Sequence, residues 1–324
     1  MSKLRVFGAV AAAVLLVVSA FGGEALPTPV NGVVTLQSGT TYTVTENTDI
    51  TGIEDILVSE GATLEYNISE GATLTVPFTA HGKGMLIKNG KGTVRYVWLK
   101  DTAPDLRTKY YIEYPGYTIV NDGLLKMVDF GSAPFADAVK YSGTYVGRIV
   151  INNPGVYNIF GNTTTSIYGL WGDGEITCAY GGGVNMMSLS DDKGKTGETY
   201  CQPAHFEGLI TGDKLRVCPA TRIDLLNPNS TASGEMAING GSNLGLTSFG
   251  LAGGPSSLGK SSYSIRGADV WFRYLGTGET STRAIDCSVG GVKLTIDGGA
   301  TGNLILGGKI TAGNGPLNFG SVGM

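Results

Sequence analysis

The sequence predicts an all-β chain wound as a parallel β-helix, a β-solenoid, behind an N-terminal signal peptide. Three observations carry this reading. Glycine fills 51 of 324 positions, about 16 % against an ordinary ~7 %, and without the every-third spacing of collagen. From residue 31 onward, short Val, Ile, Leu, Thr and Tyr runs alternate with Gly, Asn, Asp and Ser, as in Val33-Val34-Thr35-Leu36, Thr41-Tyr42-Thr43-Val44 and Thr93-Val94-Arg95-Tyr96; this is the pattern of short strands between turns. Ser59-Glu60-Gly61-Ala62-Thr63-Leu64 then recurs unchanged at Ser69-Glu70-Gly71-Ala72-Thr73-Leu74, and a repeated turn-plus-strand unit marks a solenoid.

Each element follows from the same physics. No stretch after the signal keeps a 3.6 period for three turns, because glycine recurs too often for a helix to propagate. A sandwich needs longer alternating strands joined by tight hairpins, whereas these runs are short, with Gly or Asn at nearly every corner. In a parallel β-helix, coils stack at the strand spacing of about 4.8 Å, so inward Val, Ile and Leu form ladders and corner Gly and Asn take positive φ. The ten-residue shift then corresponds to half a coil, with a whole coil of roughly 20 to 28 residues.

Residues 1–25 read as a secretory signal: Lys3 and Arg5, a nearly continuous apolar run from Val6 to Phe21, and small residues at Val18-Ser19-Ala20 and Gly23-Glu24-Ala25. Cleavage is expected after Ala20 or after Ala25; an uncleaved anchor is the alternative, but the run falls short of the ~20 residues a spanning helix prefers. No later stretch spans a membrane. Residues 26–324 form the β-helix, with loop excursions expected near 98–118 and 181–204. Net charge is -4 with no basic run after the signal, so nucleic acid is not an expected partner.

Four cysteines follow the signal: Cys178, Cys201, Cys218 and Cys287. They lack zinc-ligand spacing; disulfides among them, with connectivity open, or buried free thiols are the two readings. Trp98, Tyr110, Tyr111, Tyr114 and Tyr117 cluster in the first excursion, and such rings either stack on sugars or pack edges; Trp98, Tyr110, Tyr111 and Tyr114 are the candidate glycan contacts.

Residues 222–241, from Arg222-Ile223-Asp224-Leu225 to Ile238-Asn239-Gly240-Gly241, followed by Gly254-Pro255-Ser256-Ser257-Leu258-Gly259, Trp271-Phe272-Arg273-Tyr274-Leu275-Gly276-Thr277-Gly278, Ser281-Thr282-Arg283-Ala284-Ile285 and Thr295-Ile296-Asp297-Gly298-Gly299, resemble the autotransporter-associated β-strand repeat. The resemblance covers about residues 203–315. It implies a right-handed parallel β-helix, secreted or on the bacterial surface in association with the outer membrane, with passenger-like structural or adhesive roles. Glu235-Met236 stands where the repeat has a second Gly-Thr step, and no translocator barrel follows within the chain.

A screen for catalytic patterns is negative: H-E-x-x-H, G-x-S-x-G, the P-loop and EF-hand spacing are all missing. His81 and His205 are the only histidines and read as surface residues. Lys83, Lys88 and Lys91 lie among glycines without Walker spacing. Asp101, Asp105 and Arg107, or Arg266, Asp269 and Arg273, offer the residue types of a polysaccharide lyase or hydrolase, but charged groups in such positions more often form surface pairs. The sequence therefore leads to an exported structural or adhesive protein without catalysis or cofactor, meeting surface glycans or other cells and associating end to end through open strand edges. The alternatives are a polysaccharide-active enzyme or a carbohydrate-binding module using the aromatic loop.

Overall fold

The computed structural model describes residues 23–77, 79–97, 114–129, 144–159, 164–178, 183–187, 204–213, 216–220, 222–267, 269–289, 293–298 and 302–321. Their regular structure is entirely β. The first strands are β1 (Val33–Leu36), β2 (Thr41–Val44), β3 (Asp55–Val58), β4 (Thr63–Asn67), β5 (Thr73–Val76), β6 (Thr79–Gly82), β7 (Met85–Asn89) and β8 (Thr93–Val97). Then come β9 (Tyr114–Val120), β10 (Leu124–Asp129), β11 (Thr144–Ile151), β12 (Val156–Ile159), β13 (Thr164–Gly172), β14 (Glu175–Cys178) and β15 (Gly183–Met187). They are followed by β16 (Ala204–Phe206), β17 (Leu209–Ile210), β18 (Arg216–Ala220), β19 (Arg222–Leu225), β20 (Met236–Ile238), β21 (Asn243–Leu246) and β22 (Tyr263–Ile265). The last are β23 (Val270–Tyr274), β24 (Glu279–Ser281), β25 (Ile285–Asp286), β26 (Leu294–Gly298), β27 (Leu304–Leu306), β28 (Ile310–Thr311) and β29 (Leu317–Ser321).

Strand-to-strand pairing between these elements is parallel, as stacking of successive coils requires. Thr41 lies beside Thr63 and Thr63 beside Met85, so twenty-two residues return the chain to the same column. The two copies of the ten-residue repeat occupy two sides of one coil: Thr63 and Leu64 in β4, Thr73 and Leu74 in β5. The main column runs β2, β4, β7, β9, β11, β13. Strand β13 is long enough to carry two successors, β15 on its first half and β16 on its second. From there the column forks, one arm through β18, β20, β22, β25 and β28, the other through β19, β21, β23, β26 and β29. A second side is built by β5, β8, β10, β12, β14 and β17.

Period-two alternation decides what enters the core. One inward row is Tyr42, Leu64, Leu86, Thr118, Ile149, Leu170, Ala204, Ile223, Leu244, Phe272 and Ile296, all buried. Each large apolar member contributes on the order of 1.5–3 kcal/mol by leaving water. The row ends at Phe319, which is 61 % exposed, with no described coil beyond it. A second inward row holds Tyr66, whose hydroxyl shares a 2.7 Å hydrogen bond with Tyr96.

The same row holds Lys88, fully buried. Its ammonium turns to the coil corner and donates to the carbonyls of Asn89, Gly90 and Asp122 at 2.8, 2.5 and 3.1 Å. Burial lowers it to about 8 despite the Asp122 carboxylate nearby. That corner also carries a side-chain ladder: Asn89 donates to Glu65 at 2.7 Å, Asn121 to Asn89 at 2.9 Å and Asn152 to Asn121 at 2.8 Å. Gly90 makes the turn with φ +71, where a Cβ would collide with the Ile68 carbonyl.

Of the stretches read as loop excursions, 98–113 and 188–203 lie outside the described residues. Strand β9 begins at Tyr114 and β15 occupies 183–187, because chain returning to a stacked coil must pair its backbone groups. A further departure lies between β21 and β22, where residues 247–262 fold over the coil beneath. Arg283, 2 % exposed, donates to the carbonyls of Phe249, Ser261, Leu251 and Gly254 at 2.6 to 3.0 Å, and its guanidinium lies 5.5 Å from the Tyr263 ring centre. Glu279 receives the Phe249 amide at 2.5 Å and the Ser248 hydroxyl at 2.8 Å.

Cys178 closes β14 and is buried, while Cys287, after β25, is a buried free thiol pushed up to about 11 by burial and then by Asp286. Cys218 lies in β18, and Cys201 lies outside the described residues. The signal segment lies outside them up to residue 22. At its far end the Glu24 backbone already pairs with the sheet, its amide donating to the Thr41 carbonyl at 2.9 Å and its carbonyl accepting from the Thr43 amide at 3.0 Å.

Candidate functional site

The alternation that sends one set of residues inward places another on the outer face, one residue per coil. On the main column this outer set starts with Tyr117 in β9, in register with Arg148 in β11 and Gly169 in β13. A second outer row, on the other side of the inward row, runs through Trp171, His205, Asp224, Gly245, Arg273, Asp297 and Gly320. A flanking outer row on the same arm is Arg222, Asn243, Trp271, Thr295 and Asn318. At about 4.8 Å per strand, the face from Tyr117 to Asp297 is about 34 Å long.

Its side chains hold one another across coils. The Arg148 guanidinium lies 5.1 Å from the Tyr117 ring centre, within cation–π range. The Trp171 indole lies back over Gly169, where any Cβ would strike the ring. His205 meets Glu207 at 3.2 Å and Asp224 at 4.0 Å. Arg273 donates from Nε to Asn243 Oδ1 at 2.6 Å and from Nη2 to Asp224 Oδ1, reaching across Gly245. A side chain at Gly245 would collide with the Asp224 carboxylate and with Leu275, so glycine there leaves the sheet floor low between Asp224 and Arg273. From the same strand as Arg273, Trp271 Nε1 donates to Oδ2 of Asp297 on the next coil at 2.7 Å.

Trp271 is nonetheless 43 % exposed and Leu275, four residues on, 37 %. An exposed pair such as His205–Glu207 adds about 0–1 kcal/mol to stability; the larger effect of the set, with Arg273–Asp224 mostly covered, is to fix rings and guanidinium in place. Both carboxylates of the arm are engaged, Asp224 by Arg273 and Asp297 by Trp271. Among the described residues no group of three or more His, Cys, Asp and Glu is arranged to hold a metal ion. No helix among them is long and apolar enough to cross a membrane. A shallow depression beside Tyr117, lined by Gly61, Ala62, Lys83, Gly84 and Met85, continues the track toward the first coils.

Comparisons with protein-family models, with curated proteins and with solved structures return no match.

Of the glycan contacts read from the sequence, Trp98, Tyr110 and Tyr111 lie outside the described residues, as do Asp101, Asp105 and Arg107, and Tyr114 opens β9. Arg266, Asp269 and Arg273 do not converge: they pair with Glu235, Lys293 and Asp224 respectively. His81 lies within β6, and His205 sits mid-strand on the track. The residues that sequence reasoning passed over are Trp171 and Trp271. The run Val270-Trp271-Phe272-Arg273-Tyr274 carries the missing signal, since Arg273 sets the outward parity and Trp271 shares it.

Proposed function

We propose that the protein is an exported structural and adhesive surface element of the passenger type, a rod that presents one long outer face to its partner. The observation that carries this reading is the outer track of the main column, where exposed Trp271 and a cross-linked set of polar side chains stand where a purely structural rod needs only small polar residues. An exposed indole held in place by hydrogen bonding is a binding feature rather than a folding one, because its burial adds nothing to the core. The signal-like start and the repeat resemblance of residues 203–315 support export to the bacterial surface.

Beads coated with the full chain test this. They are expected to adhere saturably to cells or to isolated surface glycan, and adhesion is expected to fall at least severalfold for the doubly substituted chain Trp271→Ala, Arg273→Ala. Beads that bind no cell or surface preparation above an uncoated control would overturn it.

A further inference from the structure

We infer that the outer track binds a neutral linear polysaccharide laid along the rod axis, with the Trp271 indole as its stacking platform and Arg273 as its principal polar contact. This rests on the reading of the track as a binding face and names the chemistry of its ligand.

Four features select that chemistry. The Trp271 ring offers a flat apolar surface whose edge nitrogen is already committed to Asp297 at 2.7 Å, so little rotamer freedom is lost when a ligand covers it. Sugar rings supply the complement, a C–H face for the indole and a rim of hydroxyls for what surrounds it. That rim exists here as Asn243, Thr295 and Asn318 in the same row and Asp224, Arg273 and Asp297 in the next. Arg273 uses Nε and Nη2 on the protein, and its fork of five N–H donors retains others for a hydroxyl oxygen. Finally, the chemistry advances one coil at a time, about 4.8 Å, so a polymer of rings meets a fresh outward side chain at each step.

The competing ligands fit less well. A protein interface wants a buried apolar centre ringed by polar groups, whereas Trp271 and Leu275 stand as exposed large apolar residues among polar ones on this outer face, Phe319 belonging to the inward row of the last described coil. A polyanion, nucleic acid included, wants uncompensated positive charge, but Arg273 is paired with Asp224, and Glu207 and Asp297 add negative charge alongside.

The test is titration of the full chain with cellohexaose, xylohexaose and mannohexaose, followed by tryptophan fluorescence and by calorimetry, with cellobiose and polygalacturonate as comparisons. At least one neutral hexasaccharide is expected to bind, more tightly than its disaccharide. Trp271→Ala is expected to weaken it about tenfold or more, while Trp271→Phe retains part of the affinity. Val289→Ala, at an exposed position off the track, is expected to bind as the parent does. Circular dichroism and the unfolding midpoint establish that each variant is folded. Three results would overturn the inference: no neutral hexasaccharide binding, binding unaffected by Trp271→Ala, or salt-sensitive binding of polygalacturonate alone. Beads that adhere to cells while no hexasaccharide binds or competes leave the adhesive reading standing and sink the glycan; hexasaccharide binding without cell adhesion does the reverse.

Discussion

The first coils, β1 to β8, and the last, β16 to β29, use the same stacking rule for different ends. In the first set the chain returns to register after twenty-two residues, from Thr41 to Thr63 to Met85, and Thr41, Thr43 and Thr63 line the outside. Inside stand Val34, Leu36, Val44, Ile56 and Leu64. In the last set the spacing is irregular, with Asn243 beside Trp271 but Trp271 beside Thr295. The core there is aromatic: Phe249 packs edge-on against Phe272 at 5.4 Å and tilted against Tyr263 at 5.9 Å. Each set buries one cation on backbone carbonyls, Lys88 at a corner and Arg283 under a loop. The difference teaches where a solenoid has freedom. Inward rows are constrained by the neighbouring coil, so variation accumulates in the loops and on the outer face, where the candidate site lies.

The largest expected effect falls in the last coils. Arg283→Met leaves the four carbonyls of the 247–262 loop without their donor and is expected to cost about 3–5 kcal/mol, read as a lowered urea midpoint. Hydrogen exchange should rise in residues 247–262 and adjoining coils while β2 to β7 stay protected. Uniform acceleration along the chain would break the picture of locally stabilised coils. Leu64→Ala, in the first coils, is expected to cost about 3 kcal/mol through lost burial and the cavity left behind, with the exchange pattern reversed.

Asn121→Ala interrupts the corner ladder between Asn89 and Asn152 and is expected to cost about 1–2 kcal/mol. An unchanged midpoint would mean that water replaces the ladder fully. The smallest effect is in pH. Between about 8 and the ordinary lysine value of 10.5, the unfolded chain holds a proton on Lys88 that the folded chain has shed, so stability rises with pH in that window. Cys287, pushed up to about 11, and Tyr263, pushed up to about 12 by burial, act in the opposite sense. They stay protonated in the fold while the unfolded groups ionise above about 9 and 10, so stability falls there. Urea midpoints at stepped pH should therefore pass through a shallow maximum, with a rising slope below about 1.4 kcal/mol per pH unit. Lys88→Met should abolish only the rising limb, which assigns that limb to the first coils.

Much of the fold was legible because a solenoid writes its period into the chain. The ten-residue echo of Ser59–Leu64 at Ser69–Leu74 fixed the half-coil, and alternation such as Thr41-Tyr42-Thr43-Val44 fixed which side faces inward. What escaped depends on partners far away in sequence. Lys88 reads as a turn lysine among glycines, yet one of the carbonyls that holds it belongs to Asp122 on the next coil. Arg283 resembles one more charged position in a repeat, and its four acceptors lie 22 to 34 residues earlier. The candidate site was half legible. Parity alone puts Trp271 and Arg273 on one face, but that Asp224 and Asp297 lie beside them depends on coil lengths of 21 to 28 residues, which loops make irregular.

The constant step between Thr41, Thr63 and Met85 also bears on how such a chain lengthens. An in-frame tandem duplication of twenty-two codons anywhere in this stretch adds one coil, with every inward row continued and every corner glycine carried along. The new coil meets the old ones through contacts already present between existing neighbours. Unequal crossing-over can therefore change the reach of the rod in whole coils while leaving the distal face with Trp271 untouched.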